Sequence, residues 1–466
     1  MSEAIVKGTE LEIKIDSLAY GGKGVARHQN FVIFVNNALP GEVVRVFIYK
    51  IRSGYAEARV LETLSKSPYS INAKCDHFRI CGGCSTQNLE YNEQLNQKIK
   101  QVEDIFIRQA GIDDFVIENI VPAESHYNYR NKMEFSFSNK PWHIEGKENN
   151  NSNFALGLHV PRRYDKIVDI MECHIQDINF NKILDLVRTE AINNELKPYN
   201  VKTNSGFLRY LMLRRGFFTN ELMVNIVTSY EDPDKLKPIK SIITDHFPDI
   251  KSIVNNINTR RADVAYGEKE VILHGDSFIH EKLGDITYEI SANSFFQTNS
   301  EQALRLFNTV QNYLDLKGDE VIFDLFCGTG SISLYLSKFV KEIYGFDVIK
   351  SAIEDATRNS VINGIGNAKF HKVNLDTHFK KGRNIESYPK PGALILDPPR
   401  AGIHKNMIKS LPKFKASKIV YVSCNPTTQA RDIGQLIHWG WKLQSMTLVD
   451  MFPHTPHIET VALLIK

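Results

Sequence analysis

The sequence is short of the features that would place it in several large classes of protein. No apolar run among its 466 residues approaches the roughly 20 needed to cross a bilayer. The opening stretch, MSEAIVKGTELEIKID, alternates charged and apolar residues and has no signal-peptide core, so a cytoplasmic location is expected, with no membrane partner. Neither sign of charge dominates: 57 Lys and Arg against 54 Asp and Glu leave a net charge of +3, which admits nucleic acid as a partner without arguing for it. Six cysteines in a cytosolic chain of this size do not make a disulfide framework. No internal repeat is visible.

The chain divides into three stretches. Residues 1–64 hold short β-like runs (LEIKI, FVIFV, VVRVFIY, AEARVLE) punctuated by Gly21, Gly22, Gly24, Pro40 and Gly41, the pattern of a small OB-like barrel. Within it SLAYGGKGVAR sets an aromatic and two cations on a glycine-rich turn, a composition suited to RNA backbone contact. SKSPYS (65–70) reads as a linker. Residues 70–290 are expected to form a β-rich α+β central domain, opened by the cysteines and by a helix through YNEQLNQKIKQVEDIFIRQAG. Leu95, Ile99, Val102, Ile105 and Phe106 recur there at helical spacing, and Gly111 stops the helix. KENNNSN (147–153) reads as a hairpin tip. From 291 to 466 apolar strands alternate with helical segments, the pattern of a doubly wound, Rossmann-like α/β sheet.

The first motif of that α/β unit is a strand, VIFDLF, running into Cys327-Gly328-Thr329-Gly330-Ser331 and a helix. Glycines at a strand-to-helix turn let a ligand approach the backbone at a helix N-terminus. A dinucleotide fingerprint would want a third glycine where Ser333 stands, and no Walker lysine is present. The next strand, EIYGFD, ends at Asp347, placed to hold a ribose diol. These residues favour S-adenosylmethionine over a dinucleotide or ATP.

Two further strands carry the chemistry. ALIL ends in Asp397-Pro398-Pro399-Arg400, a rigid turn that holds a carboxylate at the carboxyl edge of the sheet. Such a turn also occurs in enzymes that methylate amino groups of bases, a reaction needing no nucleophilic cysteine. KIVYVS ends in Cys424-Asn425-Pro426, where Asn425 suits an N-cap and Pro426 a first helical residue. A thiol just before a helix N-terminus is expected to have a lowered pKa and to be a better nucleophile. Glu459, in MFPHTPHIETVALLI, is expected at the same end of the sheet, as a base.

Together FFQTN, DLFCGTGS, DPPRAG, YVSCNPTT and DMFPHTPHIETVALL resemble, in identity and order, the RNA 5-methyluridine methyltransferases, and the match runs from about residue 291 to the end. The resemblance implies Cys424 as nucleophile, Glu459 as proton acceptor, and Gln297, Phe326, Asp347 and Asp397 as S-adenosylmethionine ligands, with Ser331 and Asn374 as further candidates by position. Pro399, Ser331 and Asp347 stand where the family often has Ala, Asn and Glu; none of these departures removes a catalytic group. The first 64 residues resemble the TRAM domain, an RNA-binding barrel. YRNKMEFSF and GFLRYLMLRRG resemble family segments as well, which makes Arg130, Lys132, Arg209, Arg214 and Arg215 candidate phosphate contacts. The expected partner is RNA, ribosomal RNA of the large subunit (23S) favoured and transfer RNA the alternative, and the expected state is a monomer.

Cys75, Cys81 and Cys84 lie on one tight loop with Gly82 and Gly83. A closed tetrahedral site needs a fourth ligand. Cys173 is the remaining cysteine candidate, since Cys327 and Cys424 fall in the cofactor region; His77 and His174 are alternative ligands, though histidines adjacent to metal cysteines more often support them than bind. The spacing does not separate zinc from an iron–sulfur cluster; the resemblance implies [4Fe–4S], with a structural or RNA-binding role.

Overall fold

The computed structural model describes residues 5–142, 153–161, 163–261 and 265–466. The expected hairpin tip at 147–153 lies almost wholly outside them. Six strands form the N-terminal sheet: Glu10–Lys14 pairs with Val43–Ile51, and beyond it lie Tyr55–Ser65, Phe31–Asn36, Gly24–His28 and Ser17–Leu18. Period-two alternation builds its core: Ile33 and Val35 from one strand and Val44, Val46 and Ile48 from another are fully buried, while Arg45 faces water. The stretch 65–70 is more than a linker, for buried Ser67 donates its hydroxyl to the Pro40 carbonyl at 2.6 Å and ties the barrel to the central part of the chain.

The central sheet has seven strands, in the order Arg163–Asp169, Ala155–Val160, Lys132–Ser138, Leu208–Arg215, Leu222–Thr228, Ser252–Ile257 and Lys269–Gly275. Helices Ile178–Asn193 and Pro233–His246 contribute to its core through Phe180, Ile183, Val187, Leu236, Ile239 and Ile243. Asp177 caps the first of these helices by accepting from the Asn179 N–H.

The third sheet has eight strands: Ala368–Lys372, Glu342–Asp347, Val321–Leu325, Ala393–Leu396, Lys418–Ser423, Glu459–Ile465, Lys442–Val449 and Val116–Val121. The first five run parallel, and Glu459–Ile465 inserts antiparallel. Three segments of the stretch expected as a central domain over 70–290 pack with this sheet. Val116–Val121 pairs in parallel with Lys442–Val449, covering an edge otherwise open to foreign strands. The helix Tyr91–Ile105 buries Val102 and Ile105 in the same core as Phe323, Leu325, Ile433 and Leu436. The hairpin Phe278–Leu283/Ile286–Ser291 likewise packs Ile279, Tyr288 and Ile290 on the other face, beside Ile322 and Leu334. Strand pairing explains the difference: VIENIV has no partner near it in sequence, so only tertiary pairing decides where it goes. No helix among the described residues is long and apolar enough to cross a membrane.

Candidate active site

Parallel strands deliver their carboxyl ends to one edge of the sheet, and the turns there carry the candidate residues. At the end of Val321–Leu325 the backbone enters the left-handed region three times within five residues: Phe326 at φ 72°, Gly328 at 53° and Gly330 at 75°. For Phe326 this is an uncommon conformation that the surroundings must hold in place. A Cβ on Gly330 would lie 2.8 Å from the Phe370 ring, whereas one on Gly328 would meet nothing within 4 Å, so the space above Gly328 is open. Asp347, ending the next strand, accepts from the Gly328 N–H at 3.0 Å and the Ile349 N–H at 2.9 Å and fixes the turn from the side.

Beneath this turn lies a carboxylate to which the motifs alone assign no role. Asp324 is buried, accepts from the Ser333 hydroxyl at 2.5 Å through one oxygen, and has no hydrogen-bond partner for the other among the described residues. Burial, with the nearby Asp347 charge, pushes its pKa up to about 7. Burial and the Asp324 charge do the same for Asp397, also to about 7. Three crowded carboxylates under an open glycine turn suit a ligand carrying positive charge, such as a sulfonium with an ammonium group. Ser331, half-buried, opens the helix Ser331–Leu336, and its carbonyl accepts from Tyr288. Asn374 is exposed and caps Leu375–His378 by accepting from the Thr377 N–H. Gln297 is half-buried, its carbonyl held by Asn131 at 3.2 Å.

The strand register brings the reactive pair together. Ser423, the last residue of its strand, pairs with Thr460 on the antiparallel neighbour, so Cys424, one residue on, emerges at the same sheet edge as Glu459, the first residue of that neighbour. Asn425 caps the following helix, Pro426–Ile437, accepting from the Thr427 N–H at 3.1 Å, with Pro426 in the first turn as expected. The expected lowering of the thiol pKa is not found. Burial, then the Glu459 charge, push Cys424 up to about 11; the nearby Arg400 charge opposes them. Glu459 is itself pushed up to about 8 by burial and by Asp397, again opposed by Arg400. Arg400 thus faces both groups, a role its place in the DPPR motif hinted at but did not define.

The four cysteines Cys75, Cys81, Cys84 and Cys173 line one cavity of about 360 Å³ together with Arg130, Lys132 and His457. All are free thiols. The Gly83 N–H and the Gln87 amide donate to the Cys81 and Cys84 sulfurs, each at 3.3 Å. Burial, with the charges of the other cysteines, pushes Cys81 and Cys84 up to about 12. Among the described residues no group of three or more His, Cys, Asp or Glu side chains is gathered so as to hold a metal ion.

Three of the arginines expected at phosphates are engaged inside the protein. Arg209 is buried and donates to the Asn258 and Arg260 carbonyls, Arg214 is buried and donates to the Ser294 carbonyl, and Arg215 pairs with Asp177. Arg130 and Lys132 remain half-buried at the cysteine cavity.

This strand order, with a glycine turn and acidic residues at the carboxyl edge, defines a methyltransferase of the S-adenosylmethionine-dependent class. The family model described as tRNA (Uracil-5-)-methyltransferase matches residues 250–466, and the TRAM domain model matches residues 6–61. An uncharacterized RNA methyltransferase of Chlorobaculum tepidum is 37% identical over 98% of this chain and 96% of its own length, and one of Bacillus cereus is 35% identical over 100% and 98%. Among solved structures, the Pyrococcus abyssi tRNA (uracil-54, C5)-methyltransferase in complex with S-adenosyl-L-homocysteine superposes with a TM-score of 0.74 at 31% identity, covering 97% of this chain and 99% of that one. The chain belongs to the RNA uracil-C5 methyltransferase family.

Proposed function

We propose that this enzyme forms 5-methyluridine in ribosomal RNA of the large subunit, with Cys424 as nucleophile and Glu459 as base. The observation that carries the mechanism is the pairing of Ser423 with Thr460, which brings Cys424 and Glu459 to one sheet edge, with the Arg400 charge close enough to act on both. C5 of uracil is too weak a nucleophile to take a methyl group unaided. The Cys424 thiolate adds to C6, forming the S–C6 bond and placing enolate charge over C5 and its neighbouring carbonyl. The bound methyl donor supplies the methyl group to C5. Glu459 then takes the C5 proton, and the S–C6 bond breaks to return the thiolate and the C5=C6 double bond. Arg400 favours the ionised forms of both residues, which burial alone would suppress.

Asp347, Phe326, Gln297 and Asp397 hold the methyl donor in this reading, with Ser331 and Asn374 at the margin. Asp324 supports them from below through its charge. The TRAM barrel, Arg130 and Lys132 meet the RNA backbone, and the enzyme works as a monomer in the cytoplasm. The four cysteines would close on a [4Fe–4S] cluster: they line one cavity and N–H donors already point at two sulfurs, although they do not stand gathered as ligands of a single ion. Zinc is the alternative occupant. The likeness to a transfer-RNA enzyme over nearly the whole chain favours transfer RNA as a second substrate reading.

The test is RNA carrying 5-fluorouridine, whose C5 fluorine cannot leave as a proton. A covalent complex with the wild type and none with Cys424→Ala is expected. Absence of any complex with competent RNA would overturn the mechanism. Mapping 5-methyluridine in a strain lacking this gene assigns the substrate: a loss confined to transfer RNA would overturn the ribosomal assignment.

A further inference from the structure

The N-terminal barrel sends one side chain into the catalytic centre. Tyr20 sits on the tight turn between Ser17–Leu18 and Gly24–His28, where the Ala19 N–H donates to the Lys23 carbonyl at 2.8 Å and the Gly22 N–H to the Ala19 carbonyl at 2.9 Å. Gly21 and Gly22, at φ 94° and 83°, make this turn possible. The turn is held against the rest of the enzyme at independent points. The Leu18 N–H donates to the Gln97 side chain at 2.7 Å. A Cβ on Gly22 would lie 3.2 Å from the Ser85 hydroxyl and 3.6 Å from Pro456, three residues before Glu459. Ser85 and Thr86 in turn donate their N–H groups to the His454 carbonyl at 2.9 and 3.1 Å.

So braced, the Tyr20 hydroxyl lies 3.5 Å from the Cys424 carbonyl, 404 residues away in sequence. Burial raises the phenol pKa, as do the Cys424 and Glu459 charges, while Arg400 opposes them; the three groups that surround the hydroxyl are those assigned to the reaction. The contact with the Cys424 carbonyl is long and therefore weak, which leaves the O–H available to a better acceptor. Tyr20 as a residue is 38% exposed, so it keeps surface accessible to RNA while its hydroxyl reaches the Cys424 carbonyl.

We propose that Tyr20 is a substrate-contacting residue of the methylation reaction, its hydroxyl donating a hydrogen bond to the uracil C4 oxygen on which charge gathers as the Cys424 thiolate adds to C6. A neutral donor aimed at a developing oxyanion stabilises the transition state more than the ground state. The phenol stays protonated at neutral pH and so keeps its donor. The assignment also gives the barrel a second role, because an RNA-binding module then completes the pocket it delivers RNA to. It rests on the proposed uracil-C5 reaction.

The experiment compares the full-length wild type with Tyr20→Phe and Tyr20→Leu, using ribosomal and transfer RNA from a strain lacking this gene. Tyr20→Phe keeps the ring and loses only the donor. It should lower kcat by about 10- to 100-fold, leave KM for RNA within about twofold, and slow adduct formation with 5-fluorouridine RNA by the same factor as kcat. Binding of S-adenosyl-L-homocysteine should not change. Tyr20→Leu should add a rise in KM for RNA. A Tyr20→Phe enzyme with wild-type kcat, or one altered only in KM or in thermal midpoint, overturns the proposal while leaving the uracil-C5 reaction standing. A wild type that forms neither 5-methyluridine nor adduct overturns both.

Discussion

At the strand ends Cys424 shares its surroundings with a guanidinium, two carboxylates and a phenol; in the four-cysteine cavity Cys81 and Cys84 have chiefly Cys75, Cys173 and one another. Burial raises all three thiols. Burial is deeper at Cys81 and Cys84, which go to about 12, than at Cys424, which goes to about 11; what opposes it also differs, the Arg400 charge at Cys424 and one N–H donor each at Cys81 and Cys84. A thiol meant to attack carbon needs a cation that stays beside it without consuming it. Thiols gathered around a cavity raise one another, with Arg130 opposing at Cys173, and a metal group binding all four would add positive charge for the whole set.

The contrast breaks most visibly at Cys424. Cys424→Ala should reduce 5-methyluridine formation by about 10⁴-fold or more, since no other group can make C5 reactive, and should leave S-adenosyl-L-homocysteine binding intact. Residual activity within a factor of ten of the wild type, read by mass spectrometry of digested RNA, would move the nucleophile elsewhere. Glu459→Gln should cost less, about 10²- to 10³-fold in turnover, because it removes the base after the covalent bond has formed. Its signature is different in kind: the methylated RNA–enzyme adduct should accumulate with ordinary RNA. A Glu459→Gln enzyme equally slow but forming no adduct would place the carboxylate before thiol addition.

Arg400→Ala should cost about tenfold near neutral pH for each unit by which the ionisations it favours move upward. The sign is fixed by the charges. Both catalytic groups act ionised, and both already have raised pKa values, about 11 and about 8, so kcat/KM should climb with pH through the neutral range. Removing the guanidinium raises both further, so the variant's profile should lie to the alkaline side of the wild type's. A profile of unchanged shape, merely scaled down, would assign Arg400 to RNA contact alone.

The residues proposed for the reaction were legible as candidates because each flanks or opens a strand within a short contiguous motif: Asp397 before two prolines, Cys424 before a capping Asn425, Glu459 opening the last strand. Arg400 and Tyr20 were visible as residues but not as neighbours of Cys424, for that depends on the pairing of Lys418–Ser423 with Glu459–Ile465 and on the docking of the barrel. Asp324 was hidden in a strand of apolar pattern. Arg209, Arg214 and Arg215 failed in the opposite direction: charge is legible in a sequence, but the backbone carbonyls or the acid that engage these guanidinium groups come from distant segments. The strand Val116–Val121 was illegible for the same reason, since the strand it pairs with, Lys442–Val449, lies far downstream in the chain.

The smallest effect on turnover is expected at the other thiols, and it is the sharpest test of the contrast. Cys81→Ser removes one ligand from the cavity and touches nothing at the strand ends. Iron and sulfide should fall from about four each per chain in anaerobically purified wild type to near zero. The thermal midpoint should drop, because the variant would leave three half-buried thiols without the proposed cluster. The reaction itself moves no electrons, so once the protein is folded kcat should stay within about threefold, the loss appearing in KM for RNA through Arg130, Lys132 and His457 on the cavity wall. Stoichiometric zinc in the wild type would replace the cluster without disturbing the contrast. A Cys81→Ser enzyme that is folded, binds RNA as tightly as the wild type and yet is as inactive as Cys424→Ala would erase it, because the cavity would then belong to the chemistry rather than to the scaffold around it.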